Sequence, residues 1–307
     1  MIRWPSGAGA LIVCLCCTHS QAAEQPADRP TQYSAELAVG LEYDDNVGVD
    51  ELDASSSEGD YALTLGAELA MKKPLSDSTK LGLSYDFSQN LYDEFTEVNR
   101  QTHILGANLE QDFNKIDTGL SLYYIDSRLA GDSFLQLFRV SPSVSGFIGK
   151  KWFARGAYVY SEKTLENNRR RNAQTQAGEA DLYFFRRGLR SYFNFGYRYR
   201  VEDATAAQFD YQSNSIKLRY VHRIELSRRP IKLEFAWRFE DRNYDGISPI
   251  INTRRKDERQ RFQVDAEIPI LDSAALQFYA GHGNYSSNYS PADYSQGVLG
   301  SRFIYRW

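Results

Sequence analysis

The sequence has 307 residues, with 36 Lys plus Arg against 40 Asp plus Glu, a formal net charge of -4, and 21 Tyr and 17 Phe. It is polar on average, and no run of about 18 apolar residues occurs in it, which excludes a bundle of membrane-spanning helices. A transmembrane β-barrel reconciles the polarity with the aromatic content, because lipid-facing apolar and lumen-facing polar residues alternate along every strand and cancel in an average.

In chain order, the first segment carries Arg3, an apolar stretch from Ala8 to Cys17, and Ser20-Gln21-Ala22 as a cleavage site. This is the pattern of a secretory signal peptide over residues 1–22. All three cysteines, Cys14, Cys16 and Cys17, fall inside it, so the mature chain is expected to have no thiol, disulfide or cysteine metal site. A polar periplasmic linker, 23–31, follows, and the barrel is assigned to 32–307.

From Gln32 onward, alternating stretches of roughly ten residues recur, the length a tilted membrane strand requires. "YSAELAVGLEY" puts Tyr33, Leu37, Val39, Leu41 and Tyr43 on one face and Glu36 and Glu42 on the other. "YALTLGAELAM" repeats the pattern with Tyr61, Leu63, Leu65, Leu69 and Met71 opposite Glu68. About fourteen such stretches are predicted, ending in "VLGSRFIYRW", where Phe303, Tyr305 and Trp307 share one face. The connections alternate. Long ones such as "DDNVGVDELDASSSEGD", "SRLAGDS", "EKTLENNRRRNAQTQ" and "DRNYDGISPIINTRRKDE" take turns with short ones such as "FNK", "GKK", "RRGL" and "SRRP". That segregation is the mark of an antiparallel up-and-down membrane barrel with its long loops outside the cell. Tyr43, Tyr61, Tyr124 and Tyr199 are then expected in the upper aromatic girdle, and Phe303, Tyr305 and Trp307 on the lipid face of the closing strand, with Trp307 at the periplasmic interface.

Charge is split along the chain. Thr31 to Leu135 holds 20 acidic and 6 basic residues, whereas Gln136 to Arg261 holds 26 basic and 14 acidic. Since consecutive strands are neighbours, two opposed charged walls are expected in the lumen. Glu36, Glu42, Glu68, Asp86, Glu110 and Asp112 would form the acidic one. Arg198, Arg200, Lys217, Arg219 and Arg223, with Lys232, Arg238 and Arg261, would form the basic one. Charged walls select solutes in pores, and the same groups paired across the lumen would plug it instead.

Catalytic signals are weak. The three histidines after residue 22, His103, His222 and His282, have lipid-facing parity, and no serine spacing around His103 makes a nucleophile. "DDNVGVDELD" lacks the ligand spacing of a calcium loop and reads as a solvated acidic loop. The basic runs "NNRRRN" and "TRRKDER" give no nucleic-acid signature in an acidic, secreted chain. No enzyme activity, cofactor, metal or nucleic-acid partner is expected.

"GLEYDDNV" at Gly40–Val47 and "NYSSNYSPADYSQGVLGSRFIYRW" at the other end resemble the first strand and final hairpin of a broad group of Gram-negative outer-membrane barrels. The group includes porin-type barrels associated with surface-polysaccharide gene clusters and the barrel part of surface lipoprotein assembly modifiers. The aromatic tail also resembles the terminal signal such barrels show to the barrel-assembly machinery. The resemblance implies location in the outer membrane of a Gram-negative bacterium, contact with its lipids, and traffic of a small polar solute or a polysaccharide, or a plugged barrel aiding surface-polymer or lipoprotein export. The assembly modifiers carry a helical-repeat periplasmic domain before the barrel. Here about ten residues separate the cleavage site from the first strand, so a bare barrel is expected.

Overall fold

The computed structural model describes residues 30–225 and 229–307; the segment expected to be a signal peptide, 1–22, with its cysteines lies outside the described residues. The strands are β1 (Gln32–Asp44), β2 (Gly48–Val49), β3 (Ala54–Ser55), β4 (Asp60–Pro74), β5 (Thr79–Tyr92), β6 (Arg100–Asp112), β7 (Asp117–Leu129), β8 (Asp132–Ile148), β9 (Trp152–Leu165), β10 (Ala173–Phe185), β11 (Ser191–Ala204), β12 (Tyr211–Ile224), β13 (Ile231–Ser248), β14 (Thr253–Pro269), β15 (Ala274–Ser287) and β16 (Tyr294–Arg306). Fourteen of them, β1 and β4 to β16, form one closed antiparallel barrel in chain order, sealed where β1 meets β16. β2 and β3 make a two-stranded hairpin inside the first long connection.

Alternation sets the two faces. On β1, Leu37, Val39, Leu41 and Tyr43 are exposed on the outside while Glu42 and Asp44 are buried inside. The seam runs from Glu36 opposite Arg306 to Asp44 opposite Val298, and a reciprocal backbone pair between Ala35 and Trp307 extends it. Gly300, opposite Glu42 on the seam, leaves room for the Tyr279 ring of β15: a Cβ there would lie 2.2 Å from Tyr279 Cζ. The Tyr279 hydroxyl passes over that gap and donates to Glu42 at 2.7 Å.

Two connections expected to be long loops are largely strand. "SRLAGDS" is a two-residue turn, Ala130–Gly131, with φ of 50° and 89° at the tip of the lengthened β7–β8 hairpin. Positive φ at both positions is the backbone of a tight hairpin turn, and Gly131 takes it without strain. "DRNYDGISPIINTRRKDE" is mostly the ends of β13 and β14, with a register shift between Asn243 and Ile247. These strands project past the others at the long-loop end. There Val49 of the first connection packs with Phe134, Leu135 and Leu165, flanked by Val98 and Leu129. Burying each such side chain stabilises by roughly 1.5–3 kcal/mol, so the first connection is anchored rather than free.

Candidate functional site: the lumen and its first loop

Residues 45–59 do not form a solvated loop. They fold into the long-loop end of the barrel, and the expectation of a solvated acidic segment is corrected. A 3-10 turn, Asp50–Leu52, follows β2, and Asp53 sits in the left-handed region at φ 52°. This turn aims three carboxylates at arginines from distant strands. Asp53 accepts two hydrogen bonds from Arg255 of β14, at 2.8 and 2.9 Å, and another from Arg171 in the β9–β10 connection. Glu51 pairs with Arg100 of β6 at 3.1 Å, and its carbonyl accepts from Arg171 at 2.6 Å. Asp50 pairs with Arg261 of β14 at 2.5 Å and accepts from the Tyr294 hydroxyl of β16. β6 and β14 stand on nearly opposite sides of the barrel. The hairpin is therefore a strap across the mouth, held by apolar packing and charge-assisted bonds together.

The strap's carboxylates are held ionised. Burial pushes the Asp53 carboxyl up, but the hydrogen bond from Arg255 and the charges of Arg171 and Arg255 outweigh it and bring its pKa down to about 2. Arg255 is shared. It also donates to Asp257 at 2.7 and 2.8 Å and lies against the rings of Tyr244 and Tyr289, 4.8 and 5.1 Å from the centroids.

Below the strap, the residues expected on the basic wall take part in a lattice of ion pairs. Arg198 of β11 pairs with Glu179 of β10, which also takes Arg139 of β8 at 3.1 Å. Lys217 of β12 reaches Asp181 at 3.0 Å. Arg200 pairs with Glu240, which is shared with Arg242 at 2.8 Å. Arg219 donates to Glu234 at 2.7 Å, and Lys232 pairs with the same carboxylate at 3.4 Å. Of the predicted basic set, Arg238 alone lines the cavity without an ion pair among the described residues, and Arg223 donates to the Leu189 carbonyl at the short-turn end. Acidic residues of the basic half, which the net charge conceals, do the neutralising.

The predicted acidic residues are spread over several levels. Glu42 accepts from Tyr279 and from Asn90. Glu36 pairs with Arg306 at 2.6 Å and stands beside Glu68, which in turn faces Asp86. Glu110 is exposed near the short-turn end, and Asp112 caps the next turn through the Asn114 amide. Tyr43, Tyr61, Tyr124 and Tyr199 are exposed on the outer face with Phe303, Tyr305 and Trp307, and the Tyr43 and Tyr61 rings meet at 4.9 Å. Among the described residues no group of three or more His, Cys, Asp or Glu has the geometry to hold a metal ion.

A cavity of about 280 Å³ lies between strap and wall, lined by Asp50, Arg139, Arg198, Arg238, Glu240 and Arg261 among others.

The family model of the surface lipoprotein assembly modifiers matches residues 30–267. The chain belongs to that family. No curated protein matches the chain. Among solved structures this assembly-modifier barrel is similar to an anion-selective porin from Comamonas acidovorans, with TM-score 0.53, 8% identity, and coverage of 91% of this chain and 99% of that one. It is similar to OmpT, an outer-membrane protein of Vibrio cholerae, at TM-score 0.51 and 8% identity, over 91% and 99% of the two chains. CdiB from Acinetobacter baumannii gives TM-score 0.50 and 11% identity over 89% of this chain and 60% of that one. At these identities the likeness establishes the outer-membrane barrel fold and no more.

Proposed function

We propose that this member of the family is an outer-membrane barrel, closed at rest by its first loop, that assists placement of lipoproteins on the cell surface, with its long-loop end outside. The observation that carries the reading is the strap. Carboxylates clamped to arginines on opposite walls above an ion-paired lumen suit a barrel that stays sealed until a client arrives. The chain's own residues give seal and release. Val49 and its apolar neighbours seat the strap, Asp50, Glu51 and Asp53 lock it, and the ion-paired lumen below becomes a conducting path only when the strap swings away. No catalytic step is part of this function.

The test is a deletion of the gene in its own host, followed by protease shaving of intact cells and quantification of surface lipoproteins. At least one lipoprotein should become protected from protease and reappear on complementation. A surface lipoprotein profile identical in both strains would overturn the reading. A second reading, a restricted channel for small charged solutes, is favoured by the cavity beneath the strap with Arg238 facing it; solute-dependent current through the intact protein in planar bilayers would support it.

A further inference from the structure

Not every aromatic faces outward. At the short-turn end of β8 to β11, Phe147, Phe153, Tyr183, Phe185 and Tyr192 pack together, with ring centroids 5.2 Å apart for Phe147–Phe153, 6.0 Å for Phe147–Phe185 and 5.8 Å for Phe185–Tyr192. Two facts place the cluster inside. Asp181, of the same parity as Tyr183 and Phe185 on β10, reaches across the lumen side to Lys217, and Phe153 and Phe185 are only 4% and 8% exposed, which the outer face has no protein to achieve. Phe147, at 47% exposure, leaves the cluster an open apolar face toward the mouth. At the levels above, the lumen is lined with ion pairs, so an apolar face here serves no general pore.

Immediately beside it lie two turns that carry cations and no carboxylate. "GKK" holds Lys150 and Lys151, and "RRGL" holds Arg186 and Arg187. The turns adjoin, since the Phe185 amide donates to the Lys151 carbonyl at 2.8 Å. All four side chains are exposed and have no ion pair among the described residues. Four exposed cations with no carboxylate between them on one sector of the rim set up a positive field that favours an anionic partner.

We infer that the short-turn mouth over β8–β11 is the docking site of an extended polypeptide segment that carries acidic side chains together with aromatic or aliphatic ones. The carboxylates would meet Lys150, Lys151, Arg186 and Arg187, and the apolar side chains would lie on Phe147 and the Tyr183 and Tyr192 rings behind it. The inference rests on the export reading only in taking this end as the side from which a client arrives. An anionic lipid headgroup would satisfy the four cations from outside but leave the interior rings unused; the rings decide for the polypeptide.

The experiment uses the full chain in nanodiscs of zwitterionic lipid and a fluorescein-labelled peptide of about twelve residues alternating Asp or Glu with Phe or Leu, read by anisotropy at low ionic strength. A control peptide has Asn and Gln in place of the acids. The acidic peptide should bind at least about tenfold more tightly than the control, and the combined reversal K150E, K151E, R186E and R187E should remove that advantage. F147S, at an exposed ring, should weaken the acidic peptide by several-fold while the barrel keeps its heat-modifiable mobility. Equal binding of both peptides would overturn the inference. So would a result in which charge reversal abolishes a preference for nanodiscs containing phosphatidylglycerol while F147S leaves peptide binding intact, since that is a lipid site. Because binding is measured without export, surface display that persists in the deletion strain would overturn the proposed function and leave this site standing.

Discussion

Replacing Asp53 with Asn should open the barrel. Asp53 is 7% exposed and Arg255 5%, and the pair is joined by two hydrogen bonds of 2.8 and 2.9 Å, with a third from Arg171. Removing one partner of a buried, hydrogen-bonded ion pair costs roughly 3–5 kcal/mol, chiefly because the other charge is stranded. Arg255 is not wholly stranded here, since Asp257 still accepts from it at 2.7 and 2.8 Å, so the lower figure applies. About 3 kcal/mol at 1.4 kcal/mol per decade is a loss of roughly a hundredfold in the ratio of closed to open strap. In planar bilayers at neutral pH the Asn variant should therefore spend about a hundred times more of its time conducting. Arg255→Gln in the same background should add far less than it does alone, because the two act through one contact. A folded, heat-modifiable Asp53→Asn protein whose open fraction stays within twofold of wild type would refute the claim that this clasp holds the strap.

Other outcomes follow from the same geometry. The Asp53 pKa is lowered in the closed state, to about 2, so the carboxylate's contribution to closure is complete above its ordinary value near 3.8 and is lost as pH falls toward 2. Open fraction should be flat across neutral pH and rise only in strong acid, and Asp53→Asn should shrink that rise, leaving the part that Asp50 and Glu51 contribute. Replacing Phe303, Tyr305 and Trp307 by Ser should block insertion, read as loss of heat-modifiable mobility, because β16 loses its lipid-facing apolar surface. Reversing Arg198 or Arg219 to Glu sets like charges against Glu179 or Glu234 and should lower thermal stability by several kcal/mol rather than retune selectivity. Arg238→Glu, in a protein opened by Asp53→Asn, should shift ion preference toward cations most clearly at low salt, and unchanged reversal potentials would refute its place on the pore wall.

The barrel was legible because a period of two admits a single interpretation over ten residues: Leu37, Val39 and Leu41 against Glu36 and Glu42 leave no freedom in which face meets lipid. Lumen charges on strands were legible for the same reason. Three things were hidden. Asp50, Glu51 and Asp53 sit in a connection, where nothing local distinguishes a solvated carboxylate from one that meets Arg255 some 202 residues later. The pairing of Arg198 or Arg200 was masked by adding charges over a long segment; Glu179, Asp181, Glu234 and Glu240 share the lumen parity, and reading parity residue by residue would have exposed them. The interior aromatics lie where both parities are apolar: in "YFNFGY" Tyr192 points inward and Phe193 outward. A strand whose two faces are both aromatic, beside a basic turn, is the signal that would have marked the site.

The seam has a consequence for how the barrel comes to exist. Until β16 reaches β1, both are bare edges whose unpaired amides and carbonyls face hydrocarbon, at several kcal/mol for each group left unmatched. Joining residues about 270 apart adds a loop-closure cost of about 5 kcal/mol from chain entropy. Tyr279 belongs to β15, yet its hydroxyl grips Glu42 of β1 across the glycine gap in β16. Arg306 likewise holds Glu36 of β1 and Glu267 of β14 at once. The last hairpin therefore arrives as one piece: β16 supplies the ladder and the Arg306 hook, and β15 supplies the Tyr279 hook. Closure becomes a single cooperative step that either engages all of these contacts or leaves an open, edge-exposed sheet for the cell's proteases.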